Sequence, residues 1–374
     1  MKKLITLLFV AAILISMVAC NNAGDNAVIN PGIVEYKDPY AEAGEGEEGI
    51  IEVDPGAKTA LNPLTGLYNM AVDRVGERPI AVSVNNYIPD SWPQFGTSKA
   101  DYILEIVTEG GITRLFCLYS DTREVDKIGS IRSLRDQFLE AIYPLDPLII
   151  HIGTSIYADR AMAQYNFRTL NTGQVTPAMW TDTERALKRS IEHCKFVGGK
   201  SIEKGIEVSK IPTKSNSNKT AFDFLSPDDT AFVPDGGSAS AVHYFFSDNK
   251  KFDGDFRYDS ASEKYLKWQN GNPQIDAGNN DQQLQFDNVI LLFTDISVIP
   301  GEEKEDLQQV DFKNGGEGYY FTKGNYIKIT WEKGDYQSNF VFKDEDGNDI
   351  KINVGVTHMG VTDKKHKETL VITP

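Results

Sequence analysis

The chain contains little cysteine. Three cysteines occur among its 374 residues, too few for a fold that depends on a disulfide framework. Cys117 lies in an apolar, strand-like run and Cys194 near the end of a helix-like segment, and we expect both to be buried free thiols. No CxxC pair and no zinc-type spacing of histidine and cysteine occurs in the sequence. We therefore predict no metal site.

Basic residues are also few compared with acidic ones. The chain has 38 Lys and Arg against 54 Asp and Glu, which gives a formal net charge of −16. Bulk electrostatics therefore argue against binding to nucleic acid or to an anionic membrane surface. The sequence also lacks a nucleophile elbow, a phosphate-binding glycine loop and an HExxH motif. We predict no cofactor and no nucleic-acid partner, and whether the protein is an enzyme stays open.

Residues 1–20 have the pattern of a lipoprotein signal peptide. Two lysines precede an apolar run over residues 4–18, and Ala19 stands directly before Cys20. The run is shorter than the roughly 20 apolar residues that a membrane-spanning helix needs. We expect lipidation of Cys20, and a protein anchored at the extracytoplasmic face of the cell membrane. A transmembrane anchor, or a cleaved signal with an unmodified cysteine, is the alternative.

Residues 21–60 are predicted to form an acidic, disordered linker. They carry nine carboxylates against two lysines, and few large apolar side chains. Such a segment cannot bury enough surface to offset its chain entropy. Its like charges repel one another and keep it extended, so we expect it to hold the folded part away from the lipid. An ordered N-terminal element is the alternative.

Residues 61–225 are predicted to form an α/β (or α+β) domain with a mixed sheet, because strand and helix patterns intermix there. The expected strands are 78–85, 101–107, 112–120 and 147–152, and the expected helices are 133–143, 156–165 and 181–195. Glycines between the second and third strands indicate an antiparallel hairpin.

Residues 226–374 are predicted to form a mainly antiparallel, all-β domain, because short strand patterns follow one another with turn residues between them. The expected strands are 241–246, 252–258, 264–269, 288–294, 318–322, 326–332, 338–343 and 349–354. The predicted domain boundary lies between 225 and 226, where the composition changes.

Candidate anion-binding residues gather before the first predicted helix. Arg132, Ser133 and Arg135 stand where a helix N-terminus disfavours positive charge and offers unpaired amides. Together with Arg114, the guanidinium groups, hydroxyl and amides could hold a phosphate or carboxylate. The alternative is structural, with the arginines paired to internal carboxylates at Asp136, Glu140 or Glu109.

Glu109 and His151 are the candidate catalytic residues. His151 ends an apolar strand before Gly153, and ligands of α/β sheets bind beyond the carboxyl ends of strands. A histidine there could serve as an acid or base, with Glu109 supplying a carboxylate. Asn85, at another strand end, could bind a sugar or amide group. Structural roles are the alternative for all three: a packed histidine, an ion pair that braces a hairpin, and a turn.

The chain resembles the YerB-like lipoprotein family of Gram-positive bacteria (DUF3048), a two-domain family of unknown function. The resemblance rests on motifs spread over most of the sequence after the linker: Asn62-Pro-Leu-Thr-Gly-Leu67, Arg78-Pro-Ile-Ala-Val82 with Asn85-Asn86, Ala100-Asp101, Glu109-Gly-Gly-Ile-Thr-Arg114, Ile128-Gly-Ser-Ile-Arg-Ser133 with Arg135, His151 before Gly153, Phe256-Arg-Tyr-Asp259 with Tyr265, and Asn288-Val289. His358 stands near a position where the family usually has tryptophan. The resemblance implies a lipoprotein with two domains, and it brings no activity.

These observations predict a membrane-tethered lipoprotein that binds an anionic or glycan-like cell-envelope component, or an envelope protein. Arg114, Arg132, Ser133 and Arg135 would hold the anion, and Glu109 and His151 would orient it. The alternative functions are a cell-wall-polymer hydrolase that uses Glu109 and His151, and a purely structural partner-binding protein.

Overall fold

The computed structural model describes residues 58–171 and 178–374. The predicted signal peptide 1–20, with Cys20, and residues 21–57 of the predicted linker therefore lie outside the described residues. Thr59–Ala60, at the end of that linker, pair with Met70–Ala71 in a two-residue ladder. None of the helices within the described ranges is long and apolar enough to cross a membrane.

The secondary-structure elements up to residue 209 include both strands and helices, as predicted. The strands are β1 (Thr59–Ala60), β2 (Met70–Ala71), β3 (Ile80–Asn85), β4 (Tyr102–Val107), β5 (Thr113–Tyr119), β6 (Ile128–Gly129), β7 (Leu148–His151), β8 (Arg168–Asn171), β9 (Trp180–Thr181) and β10 (Lys195–Val197). The helices are α1 (Asp136–Ile142), α2 (Ile156–Tyr165), α3 (Thr183–Ala186) and α4 (Gly199–Ser209).

The elements after residue 240 are strands and short 3-10 turns. The strands are β11 (Ala241–Phe245), β12 (Asp253–Asp259), β13 (Lys264–Gln269), β14 (Asn272–Pro273), β15 (Ile275–Asp276), β16 (Gln282–Gln283), β17 (Gln285–Phe286), β18 (Asn288–Thr294), β19 (Ile296–Val298), β20 (Gln308–Val310), β21 (Gly316–Thr322), β22 (Asn325–Glu332), β23 (Val341–Lys343), β24 (Thr357–Asp363) and β25 (Val371–Thr373). Most of their pairings are antiparallel, which confirms the predicted fold class.

Three predicted elements are wrong. The predicted strand 349–354 is an irregular segment, and the last strand of the main sheet is β24, which the sequence patterns did not indicate. The predicted helix 181–195 is reduced to α3 and a short 3-10 turn. Arg185 and Arg189 donate hydrogen bonds to backbone carbonyls of residues 90–93, so tertiary contacts override the local helix pattern there. The predicted helix 133–143 begins only at Asp136.

A ten-stranded sheet runs through both halves of the chain, in the order β23-β22-β21-β18-β24-β4-β5-β3-β7-β8. β24 pairs in parallel with β18 on one side and with β4 on the other. β3 also pairs in parallel with β7. Strands β3, β4, β7, β18 and β24 consequently end at the same edge of the sheet, here called the carboxyl edge. The domain boundary at 225/226 stays a prediction.

The core lies on both faces of this sheet, because side chains alternate along its strands. Ile103 and Leu291 pack in one cluster with Phe256 of the second sheet, whose strand order is β14-β13-β12-β11-β25. Leu104 packs in a second cluster with Phe138 of α1. The ten-stranded sheet is therefore covered by α1 and α2 on one face, and by the smaller sheet together with α4 on the other. Cys117 and Cys194 are free and buried, as predicted.

A buried ionic group lies between the two sheets. Glu105 of β4, Lys267 of β13 and His358 of β24 have no exposed side-chain surface. The Lys267 Nζ lies 3.2 Å from the Glu105 Oε2, and the His358 Nε2 lies 3.0 Å from the same oxygen. Burial lowers the pKa of His358 to about 4, so its ring is neutral and donates through Nε2. This group joins elements that lie far apart in the sequence.

Candidate functional site

The predicted site residues lie at the carboxyl edge of the ten-stranded sheet. A tight turn, Glu109–Gly111, joins β4 to β5, and Gly110 and Gly111 both have positive φ (66° and 64°), which glycine adopts without strain. Arg114 follows as the second residue of β5. His151 ends β7. The sheet thus brings residues from separate strands to one edge.

Residues 130–135 cross the ends of β3 and β7 as an extended segment, here called the strap. The amide of Arg132 donates to the Ser83 carbonyl at 2.9 Å, and that of Leu134 donates to the Gly153 carbonyl at 3.0 Å. Arg135 is the residue before α1, and its side chain makes no capping bond. The prediction that these residues offer free amides at a helix N-terminus is therefore wrong for Arg132 and Leu134, because the fold uses both amides.

Glu109 is paired with two arginines. It accepts a hydrogen bond from the Arg135 Nε, and its second carboxylate oxygen lies 3.5 Å from the Arg114 Nη2. Arg114 is 2% exposed, and it also donates to the Ser133 carbonyl. The structural alternative, in which Glu109 pairs with the arginines, is thus present in the molecule. Arg114 and Arg135 hold the turn and the strap together.

Arg132 differs from these two arginines because its ion pair lies at the surface. The Arg132 Nη1 donates to the Glu192 Oε2 at 2.8 Å, and the side chains are 23% and 52% exposed. The neighbouring Ser133 hydroxyl is half-buried, and no hydrogen bond joins it to any residue that the structure describes. Arg132 and Ser133 are consequently accessible to an outside ligand.

Three carboxylates lie near the three guanidinium groups of the strap and its neighbours. Glu109 and Glu192 pair with Arg114, Arg132 and Arg135, and Asp136, at the start of α1, interacts electrostatically with Arg135. Burial, and then the nearby charge of Arg135, lower the pKa of Arg114 to about 9. Burial alone would raise the pKa of Glu109, but its hydrogen bond with Arg135 and the charge of Arg114 lower it. Glu109 therefore stays ionised at neutral pH and remains paired with both arginines.

The strap and the end of β7 hold three buried polar atoms without a partner in the described ranges: Ser130 Oγ, Arg132 Nε and His151 Nε2. Such atoms are uncommon in folded proteins, because an unmade buried hydrogen bond costs about 1–3 kcal/mol. An orphaned guanidinium nitrogen suits an anion. A hydroxyl can donate or accept, whereas the His151 Nε2 of the neutral ring can only accept, because Nδ1 carries the proton donated to the Gly153 carbonyl.

His151 and Glu109 are not brought together. The His151 Nδ1 donates a hydrogen bond of 3.0 Å to the Gly153 carbonyl, and burial lowers the pKa of the ring. Strand β7 stands three strands from β4 in the sheet order, which separates the strand axes by roughly 14 Å. No hydrogen bond joins the two side chains, and the strap and Arg114 lie between the strands that carry them.

Asn85 is engaged inside the fold. Its Nδ2 lies 2.7 Å from the His193 Nδ1, its Oδ1 accepts from the Tyr87 amide at 3.0 Å, and the Tyr87 ring stacks on that of His193. Asn85 thus positions His193, next to Glu192. Sequence reasoning missed both of these residues, because they were assigned to a helix and lie about 60 residues from Arg132.

Comparisons with known proteins give one consistent result. Residues 64–212 match the family described as "Protein of unknown function (DUF3048) N-terminal domain", and residues 242–359 match its C-terminal domain. YerB of Bacillus subtilis (strain 168), named as a candidate lipoprotein, is 25% identical over 279 residues, which cover 74% of this chain and 79% of YerB. The crystal structure of YerB superposes with a TM-score of 0.71 at 22% identity, over 84% of this chain and 100% of that one.

Proposed function

The chain belongs to the DUF3048 family, and we propose that it is a lipoprotein, anchored through Cys20 at the extracytoplasmic face of the membrane, that binds an anionic envelope component. The name of the Bacillus subtilis relative supports the anchor. The anion would be a phosphate or carboxylate group at Arg132 and Ser133, with Arg114 and Arg135 behind them. The single observation that carries the proposal is the Arg132 guanidinium, whose Nε has no hydrogen-bond partner among the described residues and whose ion pair with Glu192 lies at the surface.

The strap holds its arginines in place before any ligand arrives. Backbone bonds fix Arg132 to Ser83 and Leu134 to Gly153, and Glu109 fixes Arg135 and Arg114. An anion at the surface would share the Arg132 guanidinium with the exposed carboxylate of Glu192, or would displace that carboxylate. Charge-assisted hydrogen bonds to a guanidinium are among the stronger ones in proteins. Preorganisation lowers the entropy that binding has to overcome.

Glu109 and His151 act in this proposal as positioning groups. Glu109 is held ionised between two arginines, so it suits the orientation of guanidinium groups better than proton donation. The His151 Nε2, which has no hydrogen-bond partner among the described residues, lies at the end of β7, which the strap crosses. A glycan-like component or an envelope protein could present the same anionic group, and the chemistry recognised at the strap would be unchanged.

The test is a calorimetric titration in which inorganic phosphate is added to the full-length chain in neutral detergent. We expect Arg132→Gln to weaken phosphate binding roughly 10- to 100-fold, because one charge-assisted hydrogen bond contributes about 1.5–3 kcal/mol. The fold should be unaffected, because Arg132 pairs at the surface.

Arg257→Gln is the matched control. Arg257 also forms a partly exposed ion pair, with an Nη2–Oδ2 distance of 2.8 Å to Asp255, but it lies on β12 of the second sheet. The control should bind phosphate as the unaltered protein does. Equal binding by Arg132→Gln and the unaltered protein, or equal weakening in both variants, would contradict the proposal.

A further inference from the structure

The carboxyl edge holds a second candidate site, a crevice of about 320 Å³ at the ends of β4, β24 and β18. Its walls include Thr108 and Gly111 after β4, Ser247 and Asn249 after β11, Asp306 before β20, and His366 after β24. The volume lies at the lower end of the range of small-molecule sites. The crevice is lined by a different set of residues from the strap.

The crevice lies where the chain leaves neighbouring parallel strands in opposite directions. After β4 the chain turns to β5, on the side away from β24, and after β18 it continues through β19 and β20 to β21, on the other side. β24 ends between them and leads into the 3-10 turn Lys364–Thr369. Such divergence opens a gap at the carboxyl ends of strands, which is where open α/β sheets bind ligands.

Residues from both matched family regions build its walls and hold them together. The Gly110 amide donates to the Asp306 Oδ2 at 2.7 Å, and the Ser247 hydroxyl donates to the Gly111 carbonyl at 2.5 Å. The Glu109–Gly111 turn therefore separates two surfaces. Its glutamate faces the arginines, and its glycines face the crevice.

Carboxylates outnumber lysines and arginines in the lining of the crevice. Asp248, Asp306 and Asp363 line it, together with Lys365. Asp306 is used by the Gly110 amide and by the Gln308 side chain. Asp248 is exposed, and no hydrogen bond to its carboxylate occurs among the residues that the structure describes. The excess of carboxylates disfavours an anionic ligand.

His366 is a second and independent indication of a ligand. It is 5% exposed, it lines the crevice, and its ring makes no hydrogen bond within the described ranges. Burial lowers the pKa of His366, and the nearby Asp248 opposes that effect. A neutral ring offers a lone pair that can accept a hydrogen bond. Phe246 also lines the crevice but is only 1% exposed, so no open aromatic face is available for stacking on a sugar ring.

We propose that this crevice binds a small compound, or the end group of a polymer, that carries a primary ammonium group. The ammonium nitrogen is placed between the carboxylate of Asp248 and the ring of His366, donating to both. The hydroxyl and amide groups of Ser247 and Asn249 contact the remainder of the ligand. This proposal does not depend on anion binding at the strap.

The test uses the full-length chain in neutral detergent and three small probes: 1,4-diaminobutane, glucose and succinate. We expect 1,4-diaminobutane to bind the unaltered protein at millimolar or lower concentration. Glucose and succinate should bind the unaltered protein no more tightly than they bind the Asp248→Asn variant. Asp248→Asn should weaken diamine binding about tenfold, because it removes the exposed carboxylate while preserving the size of the side chain. His366→Gln, with its melting temperature recorded, is the second variant and should weaken binding as well.

Asp228→Asn is the matched control. Asp228 is exposed like Asp248, and its carboxylate likewise has no hydrogen-bond partner among the described residues. We expect it to leave diamine binding unchanged. The proposal is overturned if the diamine fails to bind, if glucose binds more tightly than the diamine, if Asp248→Asn strengthens succinate binding more than it weakens diamine binding, or if Asp248→Asn and Asp228→Asn have the same effect on diamine binding. Loss of phosphate binding in Arg132→Gln with intact diamine binding would separate the two sites.

Discussion

Removal of the buried ammonium group of Lys267 should destabilise the fold by about 3–5 kcal/mol. The Lys267 Nζ lies 3.2 Å from the Glu105 Oε2, and both side chains are completely buried. Lys267→Met keeps most of the side-chain volume but leaves the Glu105 carboxylate without its cation. An uncompensated buried charge is far more costly than a buried pair of neutral groups, because nothing replaces the lost solvation.

The magnitude follows from the distance and from the bonds that remain. At 3.2 Å and an effective dielectric constant of about 20, two unit charges attract by roughly 5 kcal/mol. Glu105 keeps hydrogen bonds from Thr113 at 2.7 Å, Asn86 at 3.0 Å and His358 at 3.0 Å. These three donors still solvate the carboxylate, so we expect a loss near the lower end of the range, about 3 kcal/mol.

A double-mutant cycle measured by urea denaturation tests this reasoning. Glu105→Gln, Lys267→Met and the double variant are compared by their free energies of unfolding. The double variant should be more stable than the sum of the single losses predicts, because it leaves no buried charge unpaired. The exposed pair of Lys364 and Asp295 is the control, and Lys364→Met should cost less than about 1 kcal/mol. A Lys267→Met loss as small as that of the control, or strict additivity in the cycle, would refute the argument.

Acid should destabilise the protein through the same buried group. Burial alone would raise the pKa of Glu105, but the charge of Lys267 and the hydrogen bond from His358 lower it from 4.5 to about 2. The stability that ionised Glu105 contributes is therefore present above pH 4.5 and is lost as the pH falls toward 2. Burial in the folded protein lowers the pKa of His358 from 6.5 to about 4. The unfolded chain therefore binds a proton at a higher pH than the folded protein, and the free energy of unfolding decreases as the pH is lowered from 6.5 to about 4. Unfolding free energies measured across this range should fall less steeply in Glu105→Gln; equal slopes would contradict the assignment. Separately, Cys20→Ser should move the protein from the membrane fraction to the soluble fraction and abolish palmitate labelling, and unchanged fractionation would exclude the lipid anchor.

Local signals predicted those elements whose form depends on their own residues. The hairpin of β4 and β5 follows from two apolar runs joined by Gly110 and Gly111, and α2 occupies the range 156–165 that its periodicity predicts. The strand β24 was missed because Thr357–Asp363 has little apolar periodicity and carries a histidine and a glycine. It is a strand because β18 and β4 pair with it on both sides, and those partners lie far away in the sequence.

The site was predictable in its residue types but not in its partners. Arg132 and Arg135 stood out because arginine is unusual before a helix, Arg114 was added to them as a third guanidinium group, and pairing with Glu109 was an anticipated alternative. The Glu192 partner of Arg132 could not be anticipated, because the sequence pattern placed residues 181–195 in one helix. The crevice was missed for a related reason: its walls come from five separate parts of the chain, and none of them carries a motif.

The shared sheet explains why the two family regions occur in one chain. β4 is an inner strand only because β24, from the second region, pairs with it; without that pairing the N-terminal region would present an open strand edge, which favours association with other chains. Glu105 would then lose both Lys267 and His358, its partners from the second region. The crevice would lose every aspartate and its histidine, and would keep only the backbone of the Glu109–Gly111 turn and the end of β4. Stability and the proposed ammonium site therefore depend on the same junction, and a function that needs the crevice needs both regions.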